Sequence, residues 1–142
     1  MTAASQLYML DTNIISALMK DGAGRPAASA RAWAQRRPNI TLVTSAVVQC
    51  ELLFGLSRRG TPRLQAAYDI QMKNLLVLPL DESVGIHYAA LRAHLEQAGT
   101  PIGSNDTLIA AHALALDATL VSADAEFGRV PGLRVENWLS PP

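Results

Sequence analysis

Five short runs rich in apolar residues, at 6–10, 40–43, 75–80, 118–122 and 133–136, punctuate this chain, and segments carrying helix start and stop signals lie between most of them. Short, nearly continuous apolar runs suit strands buried on both faces, and parallel strands need helical crossovers between them. The pattern predicts α/β architecture with a mostly parallel central sheet flanked by helices. Helices are expected at 13–20, at 26–37 with Pro26 in the first turn, and at 46–57 with Ser45 as cap and Arg58-Arg59-Gly60 as basic stop. Thr61-Pro62 opens another over 63–74, Asp81 or Ser83 caps a long one ending before Gly99, and Ser104 is expected to cap one over 105–116. At most one helical turn is expected at 124–127.

The 142 residues argue for a single domain spanning 1–142, and a hydrophobic share of 49% supplies a full core. No apolar run approaches the roughly 20 residues of a membrane span. The start, MTAASQLYML, lacks the basic and apolar pattern of a secretory leader. Cys50 is the only cysteine, so no internal disulfide can form and a cytoplasmic location fits. Twelve basic residues balance twelve acidic ones. Acids gathered around a cation would leave the remaining surface net basic, so the balance neither supports nor excludes a nucleic-acid partner.

Ligands of open parallel sheets bind at the carboxyl ends of the strands. Asp11 directly follows the first run and Asp124 closely follows TLVS, so both stand at such ends. Glu51 is more telling. Its helical neighbours three and four residues away are Val47, Val48, Phe54 and Gly55, and a carboxylate on that face is costly unless it is paired or holds a metal. Asp106 opens the helix LIAAHALAL, which is apolar nearly all round and therefore expected to be deeply packed. Each acid has a plainer explanation: a helix cap for Asp11, a buried salt bridge for Glu51, a first-turn acid for Asp106 and a turn aspartate for Asp124, where Glu126 is a rival. Three or four oxygen ligands without clustered His or Cys suit Mg²⁺ or Mn²⁺ rather than zinc, and predict attack by water on a phosphodiester with no covalent intermediate.

YMLDTNIIS, SAVVQCELLFG, GTPIGSNDTLIAAHAL and TLVSADAEFGRVPGLRVENW, in this order, resemble the successive motifs of PIN-domain proteins, most of all VapC-type toxins, from about Tyr8 to Trp138. The resemblance implies a PIN-like three-layer fold and a metal-dependent ribonuclease, the toxin of a type II toxin–antitoxin pair. It carries over Asp11, Glu51 and Asp106 as metal-site acids and Asp124 as the fourth, with Thr12 or Asn13 and Ser122 as polar helpers. It further implies Mg²⁺ or Mn²⁺, an RNA substrate, a homodimer and a cognate antitoxin protein. VSADAEF is a residue shorter than in many relatives, and Ser104 stands where many have proline.

Other residues read more plainly. Arg58, Arg59 and Arg63 suit a solvated helix end, though they could meet phosphates. His87, His94 and His112 read as structural or surface residues. Leu52, Phe54, Leu56 and Tyr68 fit an interface or the core equally well. Rival functions are a haloacid-dehalogenase-like phosphatase, a receiver-like domain, and a degenerate PIN module that binds RNA or protein without catalysis. The phosphatase wants an acid where Asn13 stands and a lysine that neither Lys20 nor Lys73 supplies; the receiver wants paired early acids.

Overall fold

A computed structural model describes residues 6–142; the reading of residues 1–5 as no part of a leader lies outside the described residues. Strands β1 (Gln6–Leu10), β2 (Ile40–Ser45), β3 (Leu76–Leu78), β4 (Thr119–Val121) and β5 (Val135–Glu136) form one sheet in the order β3-β2-β1-β4-β5. Every neighbouring pair is parallel, with Tyr8 opposite both Leu42 and Thr119. The first strand is therefore central, and the chain builds outwards from it in both directions. This is the predicted α/β arrangement, with strands that begin or end within a few residues of the expected places.

Among the described residues, six helices flank the sheet: α1 (Thr12–Lys20), α2 (Arg25–Gln35), α3 (Ala46–Arg59), α4 (Pro62–Met72), α5 (Glu82–Gln97) and α6 (Ser104–Ala115). A 3-10 turn covers Ala125–Arg129. Their starts follow local chemistry. Asp11, Ser45, Thr61 and Asp81 accept hydrogen bonds from the first free backbone N–H groups of α1, α3, α4 and α5, each worth about 1 kcal/mol. Gly99 adopts φ 72° after α5, a left-handed conformation that glycine enters without steric penalty.

One expected cap is corrected. Gly103, not Ser104, caps α6: Gly103 is non-helical, with ψ 153°, and its carbonyl accepts both the N–H and the hydroxyl of Thr107 at 2.8 Å. Ser104 is already the first helical residue and lies exposed. Asp106 remains where it was expected, in the first turn of α6, among N–H groups that lack helical partners.

The core runs from Met9, Val43, Leu120 and Val121 on the sheet to Ile14, Ile15, Val48, Leu95, Ile109 and Phe127 on the elements packed over it. No helix among the described residues is long and apolar enough to cross a membrane. At one edge of the core, Trp138 is buried, stacks on Trp33 with centroids 6.5 Å apart, and donates from Nε1 to Glu136. Arg37 pairs with the same Glu136 at 2.6 Å and lies over the rings of Tyr8 and Trp33.

Candidate active site

The carboxyl ends of β1 and β4 lie side by side, since Leu10 is in register with Val121 and the Asp11 N–H donates to the Val121 carbonyl. The side chains that follow these strands meet as a result. Asp11 is buried. Its Oδ1 accepts the Thr12 N–H at 2.8 Å, and its Oδ2 accepts the Ser122 hydroxyl at 2.8 Å and the Asn13 amide at 3.2 Å. Ser122 has one proton to give and two lone pairs to fill. The proton goes to Asp11; the lone pairs take the Asn13 amide and the Asp124 N–H. Asn13 Oδ1 accepts the Ala123 N–H, which fixes the amide's orientation. Asp11, Asn13 and Ser122 thus form a closed network across 111 residues of sequence separation.

The Thr12 hydroxyl reaches the other way and donates to Glu51 Oε1 at 3.2 Å, joining the start of α1 to the middle of α3. None of the ion pairs among the described residues involves Glu51, Asp11, Asp106 or Asp124. The salt-bridge explanation of Glu51 is therefore not the one the structure adopts. The expected face is corrected in part: Val47 and Val48 are buried, but Phe54 is 61% exposed and Gly55 is open to solvent. Glu51 sits where α3 leaves the body of the protein, half-buried at the rim of the cleft.

Asp106 completes the approach from α6. One carboxylate oxygen each from Asp106, Asp124 and Glu126 lie within 4.8 Å of one another. Asp124 also accepts the Glu126 N–H at 2.9 Å, so it serves as a turn aspartate and a member of the cluster at once. Glu126, the rival of Asp124, is not displaced by it: both stand in the same group. Arg129 Nη1 donates to the Pro101 carbonyl and lies 4.0 Å from Glu126, bridging the loop before α6 to the turn that carries these two acids.

The electrostatics follow from the crowding. Burial pushes the carboxyls of Asp11, Glu51 and Asp106 upwards. For Asp106 the charges of Asp11, Asp124, Glu51 and Glu126 add to burial and bring it to about 6. Asp11 is raised by burial against the opposing pull of Ser122 and Thr12. Acids from four segments of the chain therefore feel one another across one cleft. Carboxylates in this state fit a hard divalent cation: the donors are all oxygens, and a positive ion among them would offset the burial and mutual repulsion that raise their pKa values. Lys20 and Lys73 are exposed, and neither bonds to these acids, so the phosphatase arrangement does not form.

Two contacts near the site had no sequence signal strong enough to announce them. The Thr44 hydroxyl donates to the Leu10 carbonyl at 2.7 Å, tying β2 to β1 just before Asp11. The Ser45 hydroxyl meets the buried His112 ring at 2.9 Å. A polar residue in an apolar stretch was the only available hint in each case.

The residues singled out as a basic cluster and as an interface divide. Arg58 lies over the Phe54 ring at 5.5 Å on the exposed end of α3. Leu52 and Tyr68 are buried, Leu56 is half-buried, and Phe54 projects into solvent.

Residues 8–133 match the family model described as PIN domain. The chain is 38% identical over 135 residues to Ribonuclease VapC2 of Rickettsia felis, covering 93% of this chain and 98% of that protein. Its fold is similar to the crystal structure of VapBC2 from Rickettsia felis bound to a DNA fragment from their promoter, with a TM-score of 0.84 at 35% identity, covering 94% and 99% of the two chains. VapBC-1 from nontypeable Haemophilus influenzae matches with a TM-score of 0.82 at 36% identity, over 95% and 100%.

Proposed function

The chain belongs to the PIN-domain family, and from that premise we propose that it is a metal-dependent endoribonuclease, the toxin of a toxin–antitoxin pair. The observation that carries this is the convergence of Asp11, Glu51, Asp106 and Asp124 from four segments into one electrostatically coupled cleft. Relatives named ribonuclease support RNA as substrate, and solved complexes named VapBC support a cognate antitoxin. The same reading makes the protein a cytoplasmic homodimer built from a single domain.

Asp11, Glu51, Asp106 and Asp124 would hold Mg²⁺ or Mn²⁺, with Glu126 able to share the place of Asp124. The ion, when bound, supplies charge stabilisation at a phosphate and activates water. The chain's own part is positioning. Ser122 and Asn13 hold Asp11 Oδ2, the Thr12 N–H holds Oδ1, and the Thr12 hydroxyl holds Glu51 Oε1. These bonds leave the carboxylates little rotational freedom, so little ordering remains to be done when ion and RNA arrive.

The test is cleavage of a mixed RNA pool with and without Mn²⁺. Asp11→Asn and Asp106→Asn should each lower cleavage by at least about 100-fold while the protein remains folded, and EDTA should stop it. Full activity in chelator, or in either variant, would remove the metal or that residue from the mechanism. Expression alone should arrest growth and co-expression of the antitoxin should relieve it; harmless expression of an active enzyme would leave a ribonuclease that is not a toxin.

A further inference from the structure

We propose that His112 and Ser45 form a buried strut that sets the spacing between the two helices carrying Glu51 and Asp106, making His112 a positioning residue for the metal site. This rests on the metal-dependent reading above.

Ser45 and His112 are both almost wholly inaccessible, with the Ser45 Oγ 2.9 Å from His112 Nδ1. Ser45 also caps α3, accepting the Val47 N–H at 3.1 Å. His112 lies on α6, and α3 and α6 pack against each other. Glu51 comes six residues after Ser45, and Asp106 six before His112. At 1.5 Å per residue, both acids stand about 9 Å along the chain's helical rise from this polar contact. A slip of α3 against α6 would change the separation of the two carboxylates directly, and apolar packing alone resists such sliding weakly because it has no direction.

The donor assignment follows from satisfaction. With one lone pair taken by Val47, the Ser45 hydroxyl can either give its proton to Nδ1 or receive one from it. Receiving would strand the serine's own proton in a buried place, which costs about 1–3 kcal/mol. The hydroxyl therefore donates, and the imidazole is neutral with its proton on Nε2. Burial holds His112 below its usual pKa, against an upward pull from Asp81, in keeping with the neutral ring. The ring also borders a cavity of about 200 Å³ lined in part by Leu78, Pro79, Asp81 and Ser83.

The strut is tested by titrating Mn²⁺ calorimetrically into the full-length wild type, His112→Ala, His112→Asn, Ser45→Ala and the Ser45→Ala/His112→Ala double variant, with thermal melts of each. His112→Ala and Ser45→Ala should each weaken Mn²⁺ binding about 10-fold. The double variant should be no worse than the weaker single. His112→Asn, whose amide oxygen can accept the serine proton, should recover most of the affinity. Wild-type affinity in folded His112→Ala, or additive losses in the double variant, overturns the strut. If His112→Ala does not fold, Ser45→Ala and His112→Asn decide the question by the same affinities. Long-range ¹H–¹⁵N spectra of the metal-free wild type should show neutral His112 protonated on Nε2, and a proton on Nδ1 overturns the assignment. A wild type that binds no Mn²⁺ sinks the functional reading itself, whereas a wild type that binds and a His112→Ala that binds equally sinks only the strut.

Discussion

Asp106 illustrates how a single side chain can trade stability for chemistry. Its pKa stands at about 6 in the fold against an ordinary 3.8. The folded protein therefore holds this proton more tightly than the unfolded chain does. The resulting stabilisation is complete below about 3.8 and is lost as pH rises through about 6. Metal-free protein should accordingly melt higher at pH 5 than at pH 7.5, and Asp106→Asn should remove part of that difference. Thermal melts in EDTA across this range check it, and an Asp106→Asn protein with an unaltered pH profile would contradict it. Mn²⁺ affinity should fall as pH drops through about 6, as protons compete with the ion. Ser122 is a second residue with a sharp expectation. Ser122→Ala removes a donor to Asp11 and an acceptor for the Asn13 and Asp124 N–H groups. Cleavage should fall about 10- to 100-fold with the fold retained, measured as kcat under saturating Mn²⁺. Three acids stood out in the sequence for different reasons: Asp11 for its place at the end of a strand, Glu51 for its apolar helical neighbours, and Asp106 for the deeply packed helix it opens. Glu126 was readable only as a rival, since sequence cannot show that two acids two residues apart on a tight turn face one cluster.

At the scale of elements, boundaries set by side-chain caps were legible. Ser45, Thr61 and Asp81 each announce a helix and each caps one. Asp81→Ala should cost about 1 kcal/mol, read as a lower urea midpoint with unchanged m-value. The start of α6 was misplaced by one residue because the capping there is done by a glycine carbonyl and a threonine side chain inside the helix, not by the serine that looks the part. The far half of α3 was misjudged for a different reason. Helical periodicity shows which residues share a face, but not where along its length a helix runs out past the edge of its sheet. Phe54 is exposed although Val47 and Val48 on the same face are buried. Contacts such as Thr44 to Leu10 and Ser45 to His112 were not legible, because they depend on which strands and helices become neighbours in space.

Across the whole molecule, the parallel sheet and its helical cover followed from the spacing of apolar runs. The order of the strands did not, because several right-handed windings share that spacing. The carboxyl-terminal stretch proves to be part of the core. Trp138 is buried against Tyr8 and Trp33, and the Trp33 Nε1 donates to the Ser140 carbonyl at 2.7 Å. Trp138→Ala should destabilise by about 3–5 kcal/mol, measured by urea unfolding, without moving the carboxylates at the other strands' ends. A loss below about 1 kcal/mol would mean that the tail is only laid on the surface. The central place of β1 has a further consequence. Its partners on one side, β4 and then β5, are the last strands of the chain to be made. A nascent polypeptide holds Asp11 early, yet Ser122 and Asp124 reach it only after β4 has been made. On the ribonuclease reading proposed above, the centre would stay incomplete for as long as β4 is missing.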